Sequence, residues 1–98
     1  MAYEIVFTDT ARMQHKRLDA RRQTSVKAAI ECHLRHEPAK ISKSRIKRLR
    51  ELDHPQFRLR VDDCRVYYDI EAQTVVVLAI LLKDETETWL LHYGVKSS

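Results

Sequence analysis

Glycine is nearly absent from this chain of 98 residues, which contains one glycine and two prolines. A phosphate-binding glycine loop needs several glycines, because only glycine lets the backbone approach a phosphate closely. Gly94 cannot form such a loop alone. The sequence therefore predicts no nucleotide cofactor.

Cysteine is also scarce, since Cys32 and Cys64 are the only two. Two cysteines without a secretory signal pattern are typical of a reducing compartment, so we expect a cytoplasmic protein. Cys32 and His36 are four residues apart on a predicted helix, a spacing at which both could bind one metal ion. No second pair has ligand spacing, so structural roles are favoured and no metal site is predicted.

Long hydrophobic runs are missing too. The longest, VVVLAILL at residues 75–82, is too short to cross a bilayer, which needs about 20 apolar residues. Its β-branched residues instead predict a strand that is buried on both faces. We therefore expect no membrane association.

Positive charge is what the chain has in excess, with 18 Lys and Arg against 14 Asp and Glu and a net charge of +4. Residues 1–65 contain 16 basic and 9 acidic side chains, whereas residues 66–98 contain 2 and 5. Residues 40–50 contain six basic side chains and no acid. A concentrated basic region of this kind is typical of proteins that bind polyanions.

The length and the 44% hydrophobic content fit one domain over residues 1–98. YEIVFT predicts a strand, and Thr8, Asp9 or Thr10 can cap a following helix. Residues 11–35 predict a helical hairpin that breaks near residues 19–23 and ends before Pro38. A basic connection with a short extended piece near residues 46–52 leads to strands at 57–70 and 74–83, and DETETWLLHY predicts a terminal helix. We predict an α+β fold of order β-α-α-β-β-β, with an antiparallel sheet, an N-terminal helical hairpin on one sheet face and a short C-terminal helix.

The segment FRLRVDDCRVYYDI predicts a β-hairpin with a two-residue turn at Asp62-Asp63. Its apolar residues alternate onto one face, which should pack against the helical hairpin together with the next strand. The residues expected to be buried there are Phe57, Leu59, Val66, Tyr68, Ile70, Leu78 and Ile80. In the next strand, the residues expected to share one face are Val76, Leu78, Ile80 and Leu82.

The other face of this hairpin has Arg58, Arg60, Arg65, Tyr67 and Asp69. The turn places Arg60 opposite Arg65, and like charges directly opposite each other destabilise a sheet. A phosphate between the guanidinium groups would remove this repulsion, because it can accept bidentate hydrogen bonds from each. The alternative is a solvated strand whose arginines pair with Asp62, Asp63 or Asp69.

The order of elements and four stretches, YEIVFTDTA, RIKRLREL, FRLRVDDCRVYYDI and VVVLAILLKDE, resemble the RelE/ParE toxin superfamily of bacterial type II toxin–antitoxin modules. The resemblance implies a RelE-like fold, a cognate antitoxin as partner and no cofactor. It leaves three activities open: a ribosome-dependent messenger RNA endonuclease, a ParE-like inhibitor of DNA gyrase, or a member that has lost toxicity and only binds its antitoxin. One fold serves all of these functions.

The resemblance also implies site residues. In the RNA-cleaving relatives, basic residues on the hairpin bind the scissile phosphate, and these positions correspond here to Arg58, Arg60 and Arg65, with Lys83 after the last strand. Separately, the positive charge of residues 40–50 favours contact with RNA or the ribosome, through Lys43, Arg45, Lys47, Arg48 and Arg50.

Two positions depart from the family pattern. Asp84 occupies the place of a second basic residue, and Trp89-Leu90 that of a C-terminal tyrosine. The nearby His92 and Tyr93 are candidate replacements.

Proton transfer needs a further group, because arginine holds its proton too tightly to act as an ordinary base. Tyr67 is the candidate on the arginine-bearing face, and its alternative interpretation is a strand aromatic that packs against its neighbours. His54 precedes Pro55 in a predicted turn, so the pattern favours a turn residue over a base.

Overall fold

The computed structural model describes residues 2–96, and its elements follow most of the predicted order. The strands are β1 (Glu4–Phe7), β2 (Ile46–Arg48), β3 (Leu52–His54), β4 (Phe57–Val61), β5 (Cys64–Glu71), β6 (Thr74–Leu82) and β7 (Val95–Lys96). The helices are α1 (Asp9–Arg17), α2 (Ala20–Leu34) and α3 (Thr86–Tyr93), the last preceded by a 3₁₀ turn at Lys83–Glu85. No helix in the described part of the chain is long and apolar enough to span a bilayer.

The predicted α+β class is confirmed, but the prediction of a wholly antiparallel sheet is wrong. The main sheet has the order β1-β6-β5-β4-β2, and β1 runs parallel to β6. Strands β2, β3 and β7 are absent from the predicted order, and β3 pairs with β7 in a separate small sheet. Alternation in a sequence indicates which face a residue occupies but not which strand lies beside it.

The helical hairpin forms because two polar side chains cap the helices. The Thr8 hydroxyl accepts a hydrogen bond from the backbone of Ala11, and the Asp19 carboxylate accepts one from Arg22. Such caps satisfy backbone donors that have no partner within the helix. The apolar stripe of α2, which contains Val26, Ile30 and Leu34, is buried against the sheet.

The predicted hairpin register is confirmed. Arg60 lies opposite Arg65 and Leu59 opposite Val66, around a turn in which Asp62 has a positive φ of 53°. Aspartate tolerates this left-handed conformation better than most residues. The residues predicted to be buried are buried, with two exceptions: Ile70 and Leu78 are half-buried.

Strand β6 contains a β-bulge that the sequence analysis missed. Tyr67 pairs with Ala79 and Tyr68 with Val77, so Leu78 has no partner on β5. The extra residue shifts the alternation. The prediction that Val76, Leu78, Ile80 and Leu82 share one face is therefore wrong: Val75 and Val77 join Ile80 and Leu82 in the core beneath the helices.

Candidate anion-binding site on the sheet

Three arginines and a tyrosine lie side by side on the sheet face opposite the helical hairpin. In the β4–β5 register Arg58 pairs with Tyr67, and Arg60 with Arg65. Their neighbours along both strands, such as Leu59 and Val66, belong to the core on the other face. We call the surface formed by Arg58, Arg60, Arg65 and Tyr67 the arginine face.

Arg65 is the most buried cation of the arginine face, with 8% of its surface exposed. Its Nη1 donates to the backbone carbonyls of Asp62 at 2.8 Å and Cys64 at 2.9 Å. Burial, together with the positive charges of Arg60 and Arg58, lowers the pKa of Arg65 below its usual value. The positive charge of Arg65 therefore lies in an unfavourable environment, and a bound anion would stabilise it.

Arg58 and Arg60 add to this unbalanced charge. Arg58 is half-buried, and its Nε is buried without a hydrogen-bond partner in the described part of the chain. Arg60 is exposed. Within residues 2–96 none of the three arginines of this face forms an ion pair. A buried donor without a partner calls for an explanation, and a bound anion supplies one.

Two of the three aspartates that were candidate partners are engaged elsewhere, and the third, Asp62, forms no ion pair with an arginine in the described part of the chain. The Asp63 carboxylate accepts three hydrogen bonds from the Arg22 guanidinium of α2, the shortest at 2.5 Å from Nη2. This contact holds the hairpin turn against α2 and lowers the pKa of Asp63. Asp69 pairs with His54. The interpretation in which these arginines pair with nearby carboxylates therefore finds no support in these contacts.

Tyr67 is buried, and α3 covers it. Its ring stacks on Trp89 with the ring centres 5.4 Å apart. Burial raises the pKa of Tyr67, although a hydrogen bond with Thr86 and the charges of Arg58 and Arg65 oppose the shift. The phenol therefore stays protonated, which suits a hydrogen-bond donor and argues against a base.

Helix α3 covers the Tyr67 end of the arginine face and leaves Arg60 exposed. Beneath it lie Tyr67, Ala79 and Leu81, with Trp89 and Leu90 packed onto them. Trp89 thus fills space next to Tyr67, and the candidate replacement Tyr93 lies against Trp89 at 5.7 Å. The other candidate replacement, His92, is exposed and its Nδ1 lies 2.9 Å from the carbonyl of Thr88.

Lys83 lies at the end of the sheet where the hairpin turns. Its backbone nitrogen donates to the carbonyl of Asp63 at 2.7 Å, and the preceding Leu81 pairs with Arg65. The Lys83 and Asp84 side chains are both exposed. Lys83 is therefore at the same end of the sheet as the Arg60–Arg65 pair.

The basic segment divides around the sheet edge. All five predicted binding residues are exposed: Lys43, Arg45, Lys47, Arg48 and Arg50. Lys47 lies opposite Arg58 and extends its row. Arg48 instead lies over the ring of Phe57 at 5.1 Å, whereas burial and, to a smaller extent, the charge of Arg45 lower the pKa of His33 on α2. Lys47, Arg48 and Arg50 line one depression, whereas Arg45 lines another next to His33.

A histidine–aspartate pair that was not predicted from the sequence lies at the far end of the hairpin strands. His54 Nδ1 lies 2.6 Å from Asp69 Oδ2, and Asp69 Oδ1 accepts from the backbone of Gln56 at 2.7 Å. The signal in the sequence was Asp69 itself, the one acid in the polar stripe of the hairpin strands. Within residues 2–96, no group of three or more His, Cys, Asp or Glu side chains could hold a metal ion.

Two solved structures are similar to this chain. One is a RelBE2 toxin–antitoxin complex from Mycobacterium tuberculosis, with 28% identity, a TM-score of 0.69, and coverage of 84% of this chain and 99% of the matched chain. The other is a RelB–RelE antitoxin–toxin complex from Methanococcus jannaschii, with 19% identity, a TM-score of 0.66, and coverage of 86% and 96%. No protein-family model and no curated protein matches the sequence. The chain has a RelE-like toxin fold.

Proposed function

We propose that this chain with a RelE-like fold is the toxin of a type II toxin–antitoxin module and acts in the bacterial cytoplasm. In this proposal it cleaves messenger RNA on the ribosome without a metal ion and so stops translation. An antitoxin neutralises it.

The observation that supports this proposal best is the unbalanced charge of the arginine face. Three guanidinium groups lie in adjacent positions of one sheet, and no carboxylate in the described part of the chain neutralises them. A phosphate accepts two parallel hydrogen bonds from a guanidinium, which makes arginine well suited to phosphate recognition. The scissile phosphate would bind between Arg60 and Arg65 and accept from Arg58 as well.

The chemistry would be attack of a ribose 2′-hydroxyl on the neighbouring phosphorus, which breaks the bond to the 5′ oxygen of the next nucleotide, leaves a cyclic phosphate and transfers the hydroxyl proton to water. Negative charge then grows on the phosphoryl oxygens, and Arg58, Arg60 and Arg65 would stabilise it by fixed hydrogen bonds. Protonated Tyr67 would donate a hydrogen bond at the base of the site. Lys83 would add positive charge at the hairpin end, where the leaving oxygen needs stabilisation.

The basic segment would contact RNA outside the cleavage site. Lys47 adjoins Arg58 and extends the positive surface to the sheet edge, and Lys43 and Arg50 are exposed on either side of β2. Contacts of lysine and arginine with phosphates give sequence-independent affinity that falls with salt. Such contacts suit docking onto ribosomal RNA.

Expression of the chain alone in a bacterium should arrest growth, and the cause should be visible in messenger RNA. We expect primer extension to map new 5′ ends within translated codons, with untranslated regions intact, because cleavage requires the ribosome. Intact messages with broken or relaxed chromosomal DNA would instead indicate an effect on gyrase. Normal growth at full expression would contradict toxicity altogether.

The proposed antitoxin would bring an acidic segment to the region of residues 40–65 and cover exposed apolar side chains near the C-terminus. Leu91, Tyr93 and Val95 are such side chains. Opposite charges across an interface raise the association rate, and salt screens them.

We therefore expect the association rate of toxin and antitoxin to fall steeply between low and high salt, as stopped-flow mixing would measure. Replacement of Lys47 by glutamate should lower both the rate and its salt dependence. The exposed Lys16 of α1 provides a matched control, because it lies outside the basic segment. A rate that does not change with salt would contradict the acidic contacts.

A further inference from the structure

The turn of the hairpin is attached to helix α2 through the side chain of Arg22. Its Nε donates to Oδ1 of Asp63 at 3.0 Å, and its Nη2 donates to Oδ2 at 2.5 Å. On the other side, Nη1 of Arg22 lies 3.4 Å from Oδ2 of Asp19, the N-cap of α2. Arg22 and Asp63 are 41 positions apart in the chain. The function proposed above gives this contact no role.

This ion pair is fixed more firmly than most pairs at a protein surface. The side chains of Arg22 and Asp63 are 40% and 49% exposed, and exposed ion pairs usually contribute little stability. Exceptions have forked geometry or belong to a network of charges. Arg22 has both features, because its guanidinium contacts two carboxylates. We therefore expect the contact to determine position more than stability.

Asp63 is held at a second point through its backbone. Its carbonyl accepts a hydrogen bond from the backbone nitrogen of Lys83 at 2.7 Å. The peptide group that joins Asp62 to Asp63 is planar, so fixing Asp63 restricts the direction of the Asp62 carbonyl. That carbonyl accepts from Nη1 of Arg65 at 2.8 Å. A chain of contacts therefore leads from Arg22 through the turn to Arg65.

The guanidinium of Arg65 is planar and rigid, so the position of one nitrogen determines the positions of the others. Nη1 donates to the carbonyls of Asp62 and Cys64. A phosphate that accepts two parallel hydrogen bonds would use the edge formed by Nε and Nη2. The direction of that edge therefore depends on where the carbonyls of the turn lie.

We propose that Arg22 is a positioning residue of the arginine face. It holds Asp63, and thereby the turn whose Asp62 carbonyl directs the Nε and Nη2 edge of Arg65 toward the phosphate. The proposal rests on the proposed function, because Arg65 must bind the scissile phosphate. Donors that are fixed before the reaction stabilise a developing charge without having to reorganise.

Replacement of Arg22 by alanine should slow cleavage at saturating ribosome by up to about 100-fold, since a small displacement of a catalytic group can cost this much. The ribosome concentration at half-maximal rate should not change, because α2 packs on the other face of the sheet. Single-turnover cleavage on programmed ribosomes measures both quantities. Arg21→Ala is the matched control and should cleave at the wild-type rate. Arg21 is exposed on the same helix and forms no ion pair within residues 2–96.

Asp63→Ala distinguishes positioning from a simple effect of charge. Removal of a negative charge near the arginines would by itself strengthen phosphate binding, whereas loss of the contact should slow cleavage as much as Arg22→Ala does. The variant with both substitutions should lose no more activity than either single variant, because the two residues act as one unit. Faster cleavage by Asp63→Ala, or losses that multiply in the double variant, would overturn the proposal.

Nuclear magnetic resonance tests the geometry without any RNA. Because the guanidinium of Arg65 is buried and bound to two carbonyls, its N–H hydrogens should exchange slowly with water and give side-chain signals. Their absence in Arg65→Lys assigns them. Arg22→Ala should shift or broaden these signals, whereas Arg21→Ala should leave them unchanged. Urea denaturation should give similar midpoints for both alanine variants.

The outcomes separate this proposal from the proposed function. Unchanged Arg65 signals in Arg22→Ala overturn the positioning role, whatever the cleavage rate. Shifted signals with undiminished cleavage overturn it as well. If the wild-type chain cleaves no message while the signals shift as expected, the link from Arg22 to Arg65 stands and the proposed function falls. Should Arg22→Ala fail to fold, Arg22→Lys keeps the charge without the fork, and the same two measurements decide.

Discussion

Replacement of Arg60 by alanine should reduce cleavage of messenger RNA about 100- to 1000-fold, the effect of removing one fixed donor from a developing oxyanion. Arg60 is exposed opposite Arg65, so its removal takes charge from the proposed phosphate site without opening the core. Single-turnover cleavage on programmed ribosomes measures this loss directly. Growth arrest on expression should be relieved in parallel.

Arg65→Ala should lower cleavage by a similar factor but with a different effect on the fold. Arg65 is buried and donates to two carbonyls of its own turn, so its loss should also change the free energy of unfolding. Arg17→Ala is the control for lost positive charge, because Arg17 is exposed at the end of α1. Full toxicity of the Arg60→Ala, Arg65→Ala double variant would exclude the arginine face as the active site.

Replacement of Leu59 by alanine should lower the free energy of unfolding by about 2–5 kcal/mol, as large-to-small substitutions in a packed core do. Leu59 is fully buried between the sheet and the helical hairpin, and its removal leaves a cavity there. Urea denaturation followed by circular dichroism measures the change as a shift of the midpoint at constant slope.

The comparison with Arg60→Ala makes this test specific, because the two residues are neighbours on β4 and face opposite ways. Arg60→Ala should alter the free energy of unfolding by no more than about 0.5 kcal/mol, as surface substitutions usually do. Cleavage and stability should therefore respond to different residues of one strand. An equal loss of unfolding free energy at both positions would contradict the assignment of Leu59 to the core face and Arg60 to the exposed face.

The hairpin could be predicted from the sequence because its information is local. Alternation over residues 57–70 determines the faces, and a two-residue turn leaves one register for the pairing. The same holds for the helical hairpin, whose caps at Thr8 and Asp19 lie directly before the helices. The arginines were recognised for the same reason.

The features that escaped prediction depend on segments far apart in the chain. The role of His54 depends on Asp69, which is 15 residues away and lies beside it because the β3–β4 connection is bound to β5 at Gln56. The position of Trp89 over Tyr67 depends on the packing of α3, which no local pattern encodes. The basic segment is continuous in sequence, but in the structure Arg45 lines a depression beside His33 of α2 while Lys47 and Arg48 line a different one.

The bulge at Leu78 has a consequence for how this strand is aligned with its relatives. A relative without the bulge has one residue fewer in the strand, so a correct alignment needs a single-residue gap opposite Leu78. An ungapped alignment would displace every later position by one, including Lys83 and Asp84. A basic residue that follows this strand in another protein could be matched to either Lys83 or Asp84. The bulge at Leu78, earlier in the strand, therefore determines which of the two corresponds to it.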